Sequence, residues 1–179
     1  MIGAGNIRGG TDNYCAGNRS IPEYRSTAMK TILTPVDFSA ISKAVVKSAA
    51  ELARSLNARL ILMHVVQPPV ITSEYGAVMA NIQEIVALSE KTAARHLELM
   101  VHKLQAAGLE ASSVLLTGSP TLQIVDQAKK LDASFVVLGS HGHSALYDLL
   151  AGSTASGVLK KSPCPVVVIP PTTTKKKRR

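Results

Sequence analysis

Between Lys30 and Ile169 the chain alternates short, β-branched apolar runs with longer stretches whose apolar residues return every three or four positions. The first pattern suits strands, the second helices that pack by one stripe. Five runs read as strands: Lys30–Val36, Arg59–Val66, Glu110–Thr117, Ala133–Leu138 and Val166–Ile169. Four stretches between them read as helices. The first takes Ser39 as N-cap, carries Ile41, Ala44, Val45, Ala49, Leu52, Ala53 and Leu56 inward, and ends at Asn57. The second runs from about Ala80 to Ala107, with Ile82, Ile85, Val86, Ala93, Leu97, Met100, Val101 and Leu104 inward and Gly108 as its terminating glycine. A third opens at Ser119-Pro120 with Leu122, Ile124, Val125, Ala128 and Leu131 inward, and a fourth spans Ser153–Lys161. Strict alternation predicts an α/β fold, a doubly wound parallel sheet with helices on both faces. With five strands and right-handed crossovers the expected order is 3-2-1-4-5.

A core for such a sheet must here be aliphatic, because only 3% of the 179 residues are aromatic while 46% are hydrophobic. The length favours one domain, placed at residues 29–171. Residues 1–28, with five glycines and no periodicity, read as a disordered leader; residues 172–179 read as a basic disordered tail. Lys175, Lys176, Lys177, Arg178 and Arg179 supply five of the eight net positive charges, so residues 29–174 are nearly neutral. Nucleic acid is therefore not the expected partner, since basicity confined to an end without interleaved aromatics suits a solvated tail. No run reaches the roughly 18 apolar residues of a membrane span, and Cys15 and Cys164 make no disulfide framework. A cytoplasmic location is the expectation.

The chemistry concentrates at two strand ends. Pro35-Val36-Asp37 follows the first strand, and Gly139-Ser140-His141-Gly142 follows the fourth, with Gly152-Ser153-Thr154 nine residues later at a helix start. In the predicted order those two strands are neighbours and the winding reverses between them, which is where doubly wound sheets hold ligands. Glycine lets a backbone approach a ligand closely, and a helix N-terminus offers free N–H groups to an anion. A nucleotide is expected, its sugar end near Gly139 and its phosphates near Ser153. Asp37 also reads as a helix-start carboxylate, Ser153 as a helix N-cap, and His64 as a hydrogen-bonded core histidine. Gly152 and Gly157 have the glycine spacing of a P-loop, but Val158-Leu159 stands where Lys-Ser/Thr is needed. Gly142-His143-Ser144-Ala145-Leu146 lacks the last glycine of a nucleophile elbow. No Cys/His spacing suggests zinc.

Residues 29–169 resemble the universal stress protein family. The resemblance rests on Lys30-Thr31-Ile32-Leu33-Thr34-Pro35-Val36-Asp37-Phe38-Ser39, His64-Val65-Val66, Gly118-Ser119-Pro120, the two glycine motifs, and Ser162-Pro163-Cys164-Pro165 before the last strand. The Gly-x2-Gly-x9-Gly-Ser spacing resembles the ATP-binding branch. That resemblance implies Pro35, Val36 and Asp37 at the adenosine end, Val65 offering backbone groups to the adenine edge, and Leu138 and Gly139 lining base and ribose. It implies Gly142, Gly152, Ser153 and Thr154 around the phosphates, His141 beside the ligand, and ATP as cofactor with Mg²⁺ or Mn²⁺, whose protein ligands stay unassigned. It further implies a homodimer through Val166–Ile169, an apolar edge that would invite association. The expected function is a stress-response or regulatory protein that holds an adenine nucleotide with little or no turnover. A slow ATPase or nucleotide-dependent transferase in the same crevice is the alternative.

Overall fold

A computed structural model of the chain describes residues 29–68, 79–140 and 152–171. The elements alternate as β1 (Thr31–Pro35), α1 (Ser42–Leu56), β2 (Arg59–Val66), α2 (Met79–Ala106), β3 (Ala111–Thr117), α3 (Pro120–Lys130), β4 (Phe135–Gly139), α4 (Ser153–Lys161) and β5 (Val166–Ile169). The five strands form one parallel sheet in the order β3-β2-β1-β4-β5, as the alternation predicts. In register, Pro35 stands opposite Met63 and Leu33 opposite Val136.

Successive strand residues point to opposite faces, and both faces here are covered. Ile32, Leu60, Leu62 and Val137 pack with Val45, Ala49 and Ala53 of α1 and Leu97 and Leu104 of α2. Leu33, Ile61, Met63, Val136 and Leu138 pack on the other side with Ile124, Ala128, Ala155 and Val158 of α3 and α4. This double burial explains why the strands read as continuous apolar runs.

Three helices end alike. Asn57, Gly108 and Asp132 have φ of 49°, 78° and 47°. Each is followed by an apolar residue whose N–H reaches back to the helix: Ala58 to Ala53 O (2.9 Å), Leu109 to Leu104 O (3.1 Å), Ala133 to Ala128 O (2.9 Å). The left-handed residue itself bonds three back, at Arg54, Gln105 and Lys129 respectively. This is the Schellman arrangement, and in each case the apolar pair it brings together is buried.

The structure corrects three expectations. Ser39 is not the cap of α1; Ile41 takes that position without a side-chain bond, because Asp37 captures the Ser39 backbone and hydroxyl and delays the helix. Leu122 is 54% exposed, since it stands roughly 115° round the helix from the centre of Ile124, Val125 and Ala128 at about 100° per residue. Ile85 is 53% and Leu88 67% exposed. Helix α2, with 28 residues, is about 42 Å long, whereas an eight-residue strand such as β2 covers about 26 Å. Its first turns therefore overhang the sheet, and Ala93 is its first fully buried residue among those described.

Candidate functional site

At the carboxyl ends of β1 and β4 the chain leaves in opposite directions. After β1 it crosses to α1, which packs on one face, and after β4 to α4, which packs on the other. A cleft of about 600 Å³ opens between them, within the size range of small-molecule sites. Pro35, Val36, Asp37, Val65, Leu138, Gly139, Gly152, Ser153 and Thr154 all line it. His141 and Gly142 lie outside the described residues.

The loop after β1 is pinned at several points. Val36 N–H donates to Met63 O at 2.8 Å. Val36 O lies 2.8 Å from His64 Nδ1, and because a carbonyl can only accept, that ring nitrogen carries the hydrogen. Asp37 Oδ1 accepts from Ser39 N–H (3.0 Å), Ser39 Oγ (2.6 Å) and the buried Ser42 Oγ (2.9 Å). Asp37 thus braces the loop ahead of α1 on the wall of the cleft; it does not cap the helix, so the helix-start reading is corrected. Phe38 then adopts φ 60°, a conformation bulky residues rarely enter. Its ring stacks on the His64 imidazole at 4.4 Å and meets His96 of α2 edge-on at 5.2 Å.

Val65 contributes an open backbone edge. In an extended strand, N–H and C=O of alternate residues face the same side. Met63 O bonds toward β1 through Val36, while Val66 O bonds toward β3 through Gly118 N–H at 2.9 Å. Val65 therefore directs its backbone groups with Met63, to the side from which β1 has already departed after Pro35.

On the far wall, Gly152 is the N-cap of α4, with φ −64° and ψ 167°. The N-cap reading of Ser153 is thereby corrected; Ser153 is the first helical residue. Gly152 N–H donates to Ser140 O at 2.7 Å, and Ser140 N–H donates to Ile169 O at 2.8 Å. These two bonds join the halves of the glycine motif at its base. The first helical bond of α4 is Ser156 N–H to Gly152 O at 2.9 Å, and the cap makes no side-chain bond. The N–H groups of Ser153, Thr154 and Ala155 therefore stand at the helix opening with no helical partner, carrying the positive end of the dipole. Gly139 is not in the left-handed region; what it supplies at the strand end is the absence of a side chain.

Sequence reasoning missed several lining residues. His64, expected as a hydrogen-bonded core residue, makes its hydrogen bond but is partly exposed on the cleft wall, because β1 stops one register position before it. Ile41, Ser42 and Val45 from α1, and Pro120 and Ile124 from α3, complete the walls. The floor is apolar, from Met63, Ile124 and Leu138. Among the described residues no group of three His, Cys, Asp or Glu is placed to hold a metal, and no helix is long and apolar enough to cross a membrane. The arrangement can take a flat ligand against Val65 and an anion at α4.

Comparison with known proteins agrees with the fold. Universal stress protein YxiE of Bacillus subtilis is 30% identical over 141 residues, covering 76% of this chain and 95% of that protein. The structure of UspA from Lactobacillus plantarum superposes with a TM-score of 0.70 at 26% identity, covering 79% of this chain and 99% of that one. The structure of MJ0577, a universal stress protein of Methanocaldococcus jannaschii, also gives 0.70, at 27% identity over 81% of this chain and 98% of that one. The Universal stress protein family matches residues 29–170, and the chain belongs to that family.

Proposed function

We propose that the cleft holds an adenine nucleotide, ATP accompanied by Mg²⁺ or Mn²⁺, and that the protein is a regulatory binding module with little or no turnover. In this reading Val65 pairs its backbone with the adenine edge, and Pro35, Val36 and Asp37 flank the adenosine. Leu138 and Gly139 line the base and ribose. Gly142, Ser153 and Thr154 surround the phosphates, with His141 beside them. Gly152 acts by its position, since its own N–H is spent on Ser140. The observation that carries the reading is the pairing of an unused strand edge at Val65 with unused helix N–H groups at α4, across one cleft of suitable size.

A divalent ion in this site would be a companion of the phosphates, with the Ser153 and Thr154 hydroxyls nearest. Magnesium is commonly held that way, by substrate oxygens and water more than by a protein cage. Universal stress proteins of the same fold are known in complex with cAMP and, from Archaeoglobus fulgidus, with dAMP, each 24% identical to this chain. That likeness carries the fold; the argument for the ligand here rests on the cleft.

We also propose a homodimer through β5, whose four residues are half-buried at the sheet edge. Sedimentation of the protein and of a Val168→Pro variant, which removes an N–H on the open side of β5, tests this: the variant should be monomeric, and an unchanged dimer would place the interface elsewhere. For the nucleotide, the test is mass analysis of what freshly purified protein releases on denaturation, followed by titration with adenosine, AMP and ATP. Absence of binding to all three ends the nucleotide reading, and ATP turnover above about 1 s⁻¹, within the ordinary enzyme range, ends the binding-module reading.

A further inference from the structure

The cations of the domain are gathered at one edge of the sheet. Lys30 stands just before β1 and Arg59 opens β2, while Arg54, Lys103, Lys129, Lys130, Lys160 and Lys161 occupy last turns of the four helices. A helix joining parallel strands runs back against them, so all eight lie at the amino ends of the strands, opposite the cleft. Backbone bonds stitch this edge together: Leu60 N–H to Glu110 O (2.8 Å), Arg59 N–H to Lys30 O (3.0 Å), Ser134 N–H to Thr31 O (2.8 Å) and Val136 N–H to Pro165 O (3.0 Å). The helix ends and connections there hold two carboxylates, Glu110 and Asp132, against those eight cations, whereas the remainder of residues 29–171 has eight carboxylates and four cations. The nearly neutral domain is strongly polarised.

This excess is larger than the helices require. A helix C-terminus carries about half a negative charge, so four of them offset about two of the six surplus positive charges. Seven of the eight cations are exposed; Arg59 is half-buried, its Nε donating to Thr31 Oγ1 at 2.7 Å. Among the described residues none of the eight has a carboxylate within 4.0 Å, the ion pair there being Lys47 with Glu51 further back along α1. Two large apolar side chains stand in the open among them: Leu159, next to Lys160 and Lys161, is 49% exposed, and Met29, next to Lys30, is 53% exposed. Long cationic side chains with apolar residues between them match a bilayer of anionic lipid, whose negative surface draws the charges and whose boundary takes the apolar groups. Nucleic acid matches poorly. Its phosphates are registered by backbone N–H groups and helix N-termini as well as by cations, and its bases stack on aromatics. This edge presents helix carbonyls, and its connections contain no Phe, Tyr or Trp.

We infer that the amino edge of the sheet is a docking surface for an anionic membrane face. Its centre is Lys129, Lys130, Lys160 and Lys161, on the ends of the neighbouring helices α3 and α4, and Leu159 is its apolar contact. The protein stands on the bilayer by the ends of its helices, and the cleft, at the far edge, stays open to solution. Association is peripheral, since no described helix is long and apolar enough to cross a membrane, and it weakens as salt screens the headgroups. It does not depend on what the cleft holds.

The experiment measures co-sedimentation with phosphatidylcholine vesicles, with and without phosphatidylserine, at low and high salt. Lys175 to Arg179 would themselves attract an anionic surface, so the reference protein is the full-length chain carrying Lys175→Gln, Lys176→Gln, Lys177→Gln, Arg178→Gln and Arg179→Gln. This reference should bind the phosphatidylserine vesicles, ignore phosphatidylcholine alone and be released by high salt. Adding Lys129→Gln, Lys130→Gln, Lys160→Gln and Lys161→Gln should cost about fivefold for each lysine, on the order of a hundredfold or more for the four. Leu159→Gln alone, which changes no charge, should cost about fivefold, since half of that side chain remains to be buried. Thermal melting checks that each variant is folded. A reference protein that does not bind phosphatidylserine vesicles overturns the inference, as does unchanged vesicle affinity in either variant. Tighter binding of the reference to a single-stranded DNA oligonucleotide than to the vesicles overturns it too, and assigns the edge to nucleic acid.

Discussion

Gly157 lies in the middle of α4, facing Thr121 of α3. A Cβ placed on Gly157 would stand 2.7 Å from Thr121 Cγ2, 2.9 Å from its Oγ1 and 3.4 Å from its Cβ. Threonine has three staggered positions about χ1 and two heavy atoms to fill them. Any rotation of Thr121 therefore leaves at least one of the two close positions occupied, and only parting of the helices relieves the contact. Overpacking of this kind costs about 1–3 kcal/mol, while replacing a mid-helix glycine by alanine contributes about 0.8–1 kcal/mol in the other direction. Gly157→Ala should therefore lose about 1 kcal/mol net, or about 2–4 °C in Tm for a domain near 150 residues. Thr121→Ala removes both γ atoms, and in that background Gly157→Ala should become stabilising by up to about 1 kcal/mol. The four proteins of this double-mutant cycle, unfolded in urea at equilibrium, measure the coupling. A Gly157→Ala protein more stable than the parent with Thr121 in place would refute the argument, for the helices would then not be held at glycine distance. The same contact sets where Ser153 and Thr154 stand, so ATP affinity should fall in Gly157→Ala and recover in the pair.

Other consequences follow from the termini of the helices. Asp132 holds φ 47°, a conformation costing L-residues about 1–2 kcal/mol; Asp132→Gly should raise stability by up to about 1 kcal/mol and Asp132→Val lower it by a similar amount, read by thermal melting. Ser153→Glu should separate stability from binding. A carboxylate in the first turn of a helix contributes about 0.3–1 kcal/mol, so the melting temperature should hold or rise while ATP binding is lost by repulsion; calorimetric titration showing undiminished ATP affinity would remove α4 from the phosphate site.

Much of this architecture is written locally. The strands are legible because covering on both faces leaves no polar alternation to misread, and Asn57 and Gly108 mark helix ends because few residues enter the left-handed region. The start of α1 is not legible, since the Ser39 hydroxyl that could have capped it is instead donated, with the Ser39 N–H, to Asp37. Nor is the exposure of Ile85: α2 continues its own apolar stripe past the point where the strands beneath it stop, and that point belongs to the sheet. The site was legible where two strand ends carry unusual residues, from Pro35 to Asp37 and from Leu138 to Gly139. His64 was not, because its exposure depends on β1 stopping at Pro35, a matter of register. The walls contributed by α1 and α3 carry ordinary apolar residues with nothing to distinguish them.

The 2.7 Å bond between Gly152 and Ser140 means that the eleven residues from 141 to 151 enter and leave the domain through one clasp. Chain inserted or exchanged there is charged only a slowly growing closure entropy, and neither the strand below nor the helix beyond has to be rebuilt. A designer wishing to insert a new segment in this protein should therefore splice at Ser140 and Gly152.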